Sequence, residues 1–367
     1  MPRGRRIRRP DEILQEILVR LPAKSVLRCG AVCRSWRRLA SDPAFLAAHH
    51  RRQPPLHLIG SFRPAGNLLH PSCLDAVDLR GRERRPAFKP AGYCLVHASC
   101  DGLLIVGDEI CNPATRQRVS LGKKAMAYCL EIMGLFRHQP SGEYRMLFWR
   151  PGDSTLPNPN AQAYHYLTDV AGGKELIEAP GIRVIGAPVV LHGSLHLHWK
   201  KHLRNGGYHK ILVFDTVAES FRQMPPPAVN PLRVMQLFDM NGTLAASCSK
   251  HTMMEMRIFA LQDYQSEVWS FQYRIKLPAM EIRRFQEQGD WLARIVSEEG
   301  DVLVSCFGWL LHCDRNGNLL AKFQYNDDLP MLIPHRFKES LVRHKFFENK
   351  RKDLFSPSYQ MLNVPGW

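Results

Sequence analysis

The chain has 367 residues, 45% of them hydrophobic and 23% charged, with a formal net charge of +16, a composition that suits a folded soluble protein and excludes a disordered or fibrous one. No apolar run approaches the roughly 18 residues that cross a bilayer, and the N-terminal arginines have no apolar stretch behind them to make a secretory signal. Ten cysteines are scattered without one C-x-x-C pair, the pattern of thiols in a reducing compartment rather than of a disulfide framework or zinc finger.

Residues 1–9 carry Arg3, Arg5, Arg6, Arg8 and Arg9 and read as a basic disordered tail, usable for nuclear import or phosphate contact. Residues 1–50 hold eleven Lys+Arg against four Asp+Glu, so about 7 of the 16 excess charges sit there. The expected residence is cytoplasmic, nuclear or both.

A helical module is expected over 10–50. Ile13, Leu14, Ile17, Leu18 and Leu21 recur at helical spacing, with Asp11 as N-cap and Asp11 and Glu12 suiting the positive helix end. Pro22 interrupts the run. A second helix is expected over Ala23–Cys29 with Val26 and Leu27, and a third over Val32–Ala40 with Val32, Trp36, Leu39 and Ala40 on one face. Asp42-Pro43 reads as a cap followed by a first-turn proline, opening a short stretch through Phe45 and Leu46. So few residues bury little core alone, so part of this apolar surface is expected to meet a partner.

Pro10-Asp11-Glu12-Ile13-Leu14, Ile17-Leu18, Arg20-Leu21-Pro22-Ala23-Lys24-Ser25-Val26-Leu27-Arg28, Val32-Cys33-Arg34-Ser35-Trp36 and Ser41-Asp42-Pro43-Ala44-Phe45 follow one another with intact spacing. Together they resemble an F-box. The resemblance implies docking to a Skp-type adaptor, and through it to a cullin ubiquitin ligase. Its residues here are Pro10, Ile13, Leu14, Ile17, Leu18, Leu21, Pro22, Val26, Leu27, Val32, Cys33 and Trp36, some of which must instead hold the module's own core. One position departs from the family: the leucine usual before the first proline is Arg9. That removes a side chain whose burial would contribute about 1.5–3 kcal/mol.

After a linker at 51–55 the helical period disappears. Short apolar runs such as Leu103-Leu104-Ile105-Val106, Ile211-Leu212-Val213-Phe214 and Val302-Leu303-Val304 alternate with turn residues, as strands do. Glycine turns recur at Asp101-Gly102, Ser141-Gly142, His192-Gly193, Asn241-Gly242 and Glu299-Gly300, spaced 40, 51, 49 and 58 residues apart. A second punctuation at Asn112-Pro113, Thr168-Asp169, Asp215-Thr216, Phe259-Ala260-Leu261 and Cys313-Asp314 repeats every 57, 46, 45 and 54. Units near this length, each of several strands, are the mark of a propeller, and 56–367 holds about six of them.

Ser99-Cys100-Asp101-Gly102-Leu103-Leu104, Asn112-Pro113-Ala114-Thr115, Val213-Phe214-Asp215-Thr216, Glu267-Val268-Trp269 and Phe337-Lys338-Glu339-Ser340-Leu341-Val342 resemble the F-box-associated domain of plant F-box proteins. The expected class is α+β multidomain: a small all-α F-box module followed by an all-β propeller-like domain.

No catalytic residue, metal or cofactor is expected. His192, His196, His198 and His202 have spacing that could share an ion, but no nearby carboxylate completes a set, and Trp199 with its flanking lysines suggests a strand edge. Ser247-x-x-Lys250 lacks the rest of a hydrolase apparatus. The polar stretches Arg150–Pro159 and Lys200–His209 are candidate recognition loops for an unidentified target protein. The competing reading is a basic nucleic-acid-associated β scaffold using Arg3–Arg9 and Lys200-Lys201. The diffuse charge beyond residue 50 disfavours nucleic acid as a partner.

Overall fold

The computed structural model describes residues 10–347 apart from 66–67, 89–94, 122–130, 150–161, 168–173, 179–185, 201–208, 230–233, 250–254, 279–281, 283–291, 298, 307 and 326–327. Four helices come first: α1 (Pro10–Leu18), α2 (Ala23–Cys29), α3 (Arg34–Leu39) and α4 (Pro43–Arg52). The second has the expected bounds. The first starts at Pro10, so Asp11 lies inside its first turn rather than capping it, since a proline fits where the N–H would be unpaired anyway. The third is shorter than expected, because Cys33 is extended (φ −151°, ψ 169°) and serves as N-cap. Asp42 caps α4 as expected, its Oδ1 accepting from the Phe45 N–H at 2.8 Å. That helix then runs to Arg52, well beyond Leu46. Gln53 is therefore no loose linker: it is buried and its Nε2 donates to the Leu21 carbonyl at 3.1 Å.

The remaining strands form six four-stranded antiparallel sheets. Blade 1 joins β24 (Leu329–Phe337) to β1 (Leu56–Ala65), β2 (Leu68–Asp78) and β3 (Glu83–Phe88). Blade 2 is β4 (Val96–Cys100), β5 (Leu103–Val106), β6 (Glu109–Asn112) and β7 (Gln117–Ser120); blade 3 is β8 (Glu131–Arg137), β9 (Tyr144–Trp149), β10 (Gln162–Leu167) and β11 (Lys174–Glu178). Blade 4 is β12 (Val189–Leu191), β13 (Ser194–Lys200), β14 (His209–Asp215) and β15 (Ser220–Met224); blade 5 is β16 (Val234–Met240), β17 (Thr243–Ser249), β18 (Glu255–Asp263) and β19 (Val268–Lys276). Blade 6 is β20 (Leu292–Ile295), β21 (Val302–Cys306), β22 (Trp309–Cys313) and β23 (Leu319–Gln324).

The core shows why the blades form a ring. Within β5, Leu103 and Ile105 pack toward blade 3 while Leu104 and Val106 pack toward blade 1. In β14, Ile211 and Val213 face blade 5 while Leu212 and Phe214 face blade 3. Side chains alternate across a strand, so a strand sandwiched between two sheets must be apolar at every position. Six clusters of this kind fill the six junctions, the last joining Leu303 and Leu310 of blade 6 to Ile59 and Leu332 of blade 1. Contacts of β4 with β8 and β24, and of β12 with β16, place the first strands innermost. Because β24 closes the sheet that β1 begins, the ring has no free sheet edge at the junction of its ends.

All five repeated glycines fall where expected, at the turn between first and second strands of blades 2 to 6. Asp101-Gly102, His192-Gly193 and Asn241-Gly242 have positive φ at both residues, the two-residue turn matched to strand twist. The second punctuation is an Asx turn between third and fourth strands. Asn112, Asp215 and Asp314 each accept from backbone N–H groups two or more residues on. In blade 5 the turn belongs to Asp263, and Phe259-Ala260-Leu261 lies within β18. Asp78 makes the same turn in blade 1. Thr168 and Asp169 lie outside the described residues.

Among the described residues no helix is long and apolar enough to cross a membrane.

Candidate functional site

The helical module has its own core, made by Leu18, Val19, Ala23, Val26, Phe45 and Leu46 together with Leu341 from the segment after β24. This divides the twelve residues singled out in the sequence. Leu18 (1% exposed) and Val26 (0%) are interior and present nothing to a partner. Leu14, Leu21 and Trp36 are half-buried against the core. Ile13 (48%), Ile17 (54%), Leu27 (49%) and Val32 (68%) stand exposed, as do Pro22 and Cys33. Pro10 opens α1.

Ile13 and Ile17, four residues apart, share one face of α1, and Leu14 and Leu18 share the other. The same spacing therefore supplies an inner and an outer apolar stripe. Of the ten large hydrophobics exposed among the described residues, four fall between positions 13 and 32. Apolar side chains concentrated like this on a small module mark an interaction surface.

The module is seated on the propeller end that carries the first-to-second and third-to-fourth turns of blade 2. Glu339 is the main tie. Its Oε2 accepts from the Ala23 N–H at 3.3 Å, at an α2 start where Pro22 offers no side-chain cap. Its Oε1 pairs with Arg85 Nη2 of β3 at 3.1 Å, and its carbonyl bonds His50 Nδ1 at 3.0 Å. His50 Nε2 also lies 3.8 Å from Asp101 Oδ1, and the Tyr144 hydroxyl donates to Asp101 Oδ2 at 2.9 Å. Burial alone would lower the His50 pKa, but Asp101 and the Glu339 carbonyl outweigh it and raise it. The bond from His50 holds the Asp101 carboxyl below the usual range against the opposing effect of burial. Sequence reading singled out Asp101 only as a turn and Glu339 only within a longer run, because their partners are about 50 and 290 residues away in the chain.

Asn112 and Ala114 finish the seat. Buried Asn112 donates from Nδ2 to the Ser340 carbonyl at 3.0 Å, and Ala114 packs on the module core beside Leu341 and Val342.

The histidines of blade 4 do other work. His196 is fully buried, its Nδ1 bonded to the Val189 carbonyl at 3.1 Å and its Nε2 to the Tyr264 hydroxyl at 2.7 Å. His198 stacks on His209 with 2.8 Å between Nε2 and Nδ1. His192 meets the edge of Tyr264, and His202 is outside the described residues. Their strand is no edge: β13 pairs on both sides and Trp199 is 6% exposed in the junction between blades 3 and 4. Among the described residues no group of three or more His, Cys, Asp or Glu could hold a metal ion. Most of Arg150–Pro159 and Lys200–His209 also lies outside them.

A cavity of about 840 Å³ is lined by both parts, with His50 and Pro54 facing Asp78, Asp101, Asp301 and Lys338. Four of its carboxylates are committed to structure: Asp78 and Asp239 to their turns, Asp101 to His50 and Tyr144, Asp301 to His312 Nε2 at 3.1 Å.

Comparison with known proteins matches the two parts separately. Residues 10–53 match the F-box-like family, and residues 89–320 match the F-box associated beta propeller domain. An F-box/LRR-repeat protein of Arabidopsis thaliana is 23% identical over 88% of this chain and 78% of its own length. The F-box protein CPR1 of the same plant is 33% identical over 29% of this chain and 27% of its own. Another Arabidopsis F-box protein is 24% identical over 65% of each. Among solved structures, an oligogalacturonate lyase in complex with manganese aligns at a TM-score of 0.40 and 8% identity, over 71% of this chain and 77% of that one, too distant to bear on activity.

Proposed function

Because this chain belongs to the F-box proteins that carry an F-box associated β-propeller domain, we propose that it is the substrate-recognition subunit of a Skp–cullin–F-box ubiquitin ligase. A Skp-type adaptor docks on Ile13, Ile17, Leu27, Val32 and Cys33, flanked by Pro10 and Pro22. Leu18 and Val26 support that surface from beneath, and Leu14, Leu21 and Trp36 contribute at its border. The adaptor brings a cullin; the propeller holds a target protein. No chemistry falls to this chain, whose role is to raise the effective concentration of target lysines near a charged ubiquitin carrier.

The observation that carries this reading is the exposed apolar set between positions 13 and 32, on a module whose own core is already complete. The module covers the turn-bearing end near blade 2. We assign the target to the opposite end, toward which β9 and β13 run.

Ile17→Asp and Val32→Asp should each weaken adaptor binding by at least ~30-fold, because a carboxylate would be buried without a partner. Neither should move the melting temperature by more than about 1–2 °C, as both positions are solvated in the free protein. Leu18→Asp should instead unfold the module. Titration calorimetry and circular dichroism separate these cases, and wild-type affinity in both surface variants would refute the assigned surface.

A further inference from the structure

Among the described residues, a cation of the central channel has no counter-charge. Arg294 stands on β20, the innermost strand of blade 6, and lines a space of about 260 Å³ with His57, Ser99, Gln236, His335 and Arg336. Its Nε is buried and has no hydrogen-bond partner. Burial is the influence that acts on its pKa, lowering it to about 10 with no carboxylate opposing, and at that value the guanidinium is still charged at neutral pH. The one carboxylate among the described lining residues, Asp239, accepts the Gly242 N–H at 2.8 Å.

An isolated buried cation is costly, and folded proteins almost always pair it. The neighbouring groups reinforce the positive field instead. Besides burial, Arg336 and His312 act to lower the pKa of His57 against the pull of Asp78, and His97 and Arg294 act to lower that of His335 against its bond to the His97 backbone. Both imidazoles are buried; the His335 ring is bonded to the His97 backbone, which leaves His57 to face the space as a donor. A planar guanidinium with a second arginine and an imidazole beside it suits an oxyanion. The space is smaller than the roughly 300–1,000 Å³ of pockets for drug-sized ligands, which fits an inorganic ion better than a nucleotide.

We propose that the central channel binds a small phosphate-type oxyanion, with Arg294 as its principal ligand and His57 and Arg336 completing the donor set. The site lies on the propeller axis, apart from the adaptor surface, and stands or falls independently of it.

The test compares melting of the full chain in chloride and in inorganic phosphate at equal ionic strength, pH near neutral. Phosphate at ~10 mM should raise the wild-type melting temperature by about 2–4 °C over chloride, through mass action on the folded state. Arg294→Gln should show no phosphate increment, and in chloride should melt no lower than wild type because an uncompensated charge has gone. Equal increments in both proteins, or none in wild type, would overturn the proposal. So would Arg294→Gln melting well below wild type in chloride, since the guanidinium would then have its counter-charge within the chain. Calorimetric titration of phosphate into wild type needs no variant and should give about one site per chain; absence of saturable binding would sink the idea.

Discussion

Gly102→Ala is expected to unseat the helical module from the propeller, whereas Gly193→Ala and Gly242→Ala should cost only backbone strain. The three glycines occupy the same turn in blades 2, 4 and 5, with φ of +83°, +71° and +80°. An added Cβ at Gly193 or Gly242 would meet nothing within 4 Å, so each substitution should cost about 1–2 kcal/mol for the left-handed conformation. At Gly102 the Cβ would lie 2.2 Å from Ser340 Cβ, 2.9 Å from the Lys338 carbonyl and 3.0 Å from the Ser340 nitrogen. The opposing atoms are mostly backbone of the segment that carries Glu339 and Leu341, and that segment must move. Moving it exposes Leu341, worth about 2 kcal/mol, and leaves buried Asn112 Nδ2 without the Ser340 carbonyl, worth about 1–3 kcal/mol. With the same backbone strain included, the expected total is about 4–7 kcal/mol, seen as a lower urea midpoint and early proteolysis within residues 10–52. Equal destabilisation in all three variants would contradict this account.

Acidification should have the other large effect. His57, His196, His335 and His344 are buried, and burial lowers each pKa from 6.5 to about 4. A group with a depressed folded pKa contributes stability above its unfolded value that is lost as pH falls toward the folded one. Full loss is about 3 kcal/mol per histidine, and four such losses rival the roughly 5–15 kcal/mol that holds a domain together. Stability should therefore be flat above pH 7 and fall steeply between about pH 6.5 and 4. His50 has the opposite sign: its raised pKa contributes most below 6.5 and the contribution fades above the folded value. The lowered pKa of Asp101 makes its contribution present above the usual carboxylate range and lost below it. The clamp between them is thus strongest in mildly acid solution, but one pair opposes four histidines. Urea midpoints at pH 7.5, above that window, and at pH 5, inside it, should differ sharply, and His344→Gln should remove about a quarter of the difference. A midpoint unchanged down to pH 5 would contradict the assignment of these rings as neutral.

The architecture was legible because propellers impose local rules. Strands buried on both faces read as unbroken apolar runs, as Leu103–Val106 does, and the tight turns demand glycine at positive φ at near-regular spacing. Where local rules compete, the reading slipped. Val32 and Cys33 look like helix in sequence yet precede α3, and the stretch after Leu46 has no strong apolar period although it continues α4. Ala260 and Leu261 resemble a strand end, but the turn waits for the Asp263 carboxylate that can accept the following N–H groups.

The division of the module into core and surface was not legible at all. Ile13 and Ile17 differ from Leu14 and Leu18 by one step of the helical wheel, and all four are apolar. Only the position of Phe45, Leu46 and Leu341 against α1 decides which stripe faces inward. Leu341 arrives from more than 300 residues away, and pairings at that distance leave no local trace in a single sequence. The motif residues that looked like separate repeats, Gly102, Asn112 and the Phe337–Val342 run, meet at one place and hold the module there.

The outer stripe of this module is the proposed seat of a Skp-type adaptor. Hydrogen–deuterium exchange on the full chain, alone and with such an adaptor, tests it directly. The expected result is a one-to-one complex in which protection concentrates between residues 12 and 36 while the blades are unchanged. No complex, or protection confined to the propeller, would contradict it.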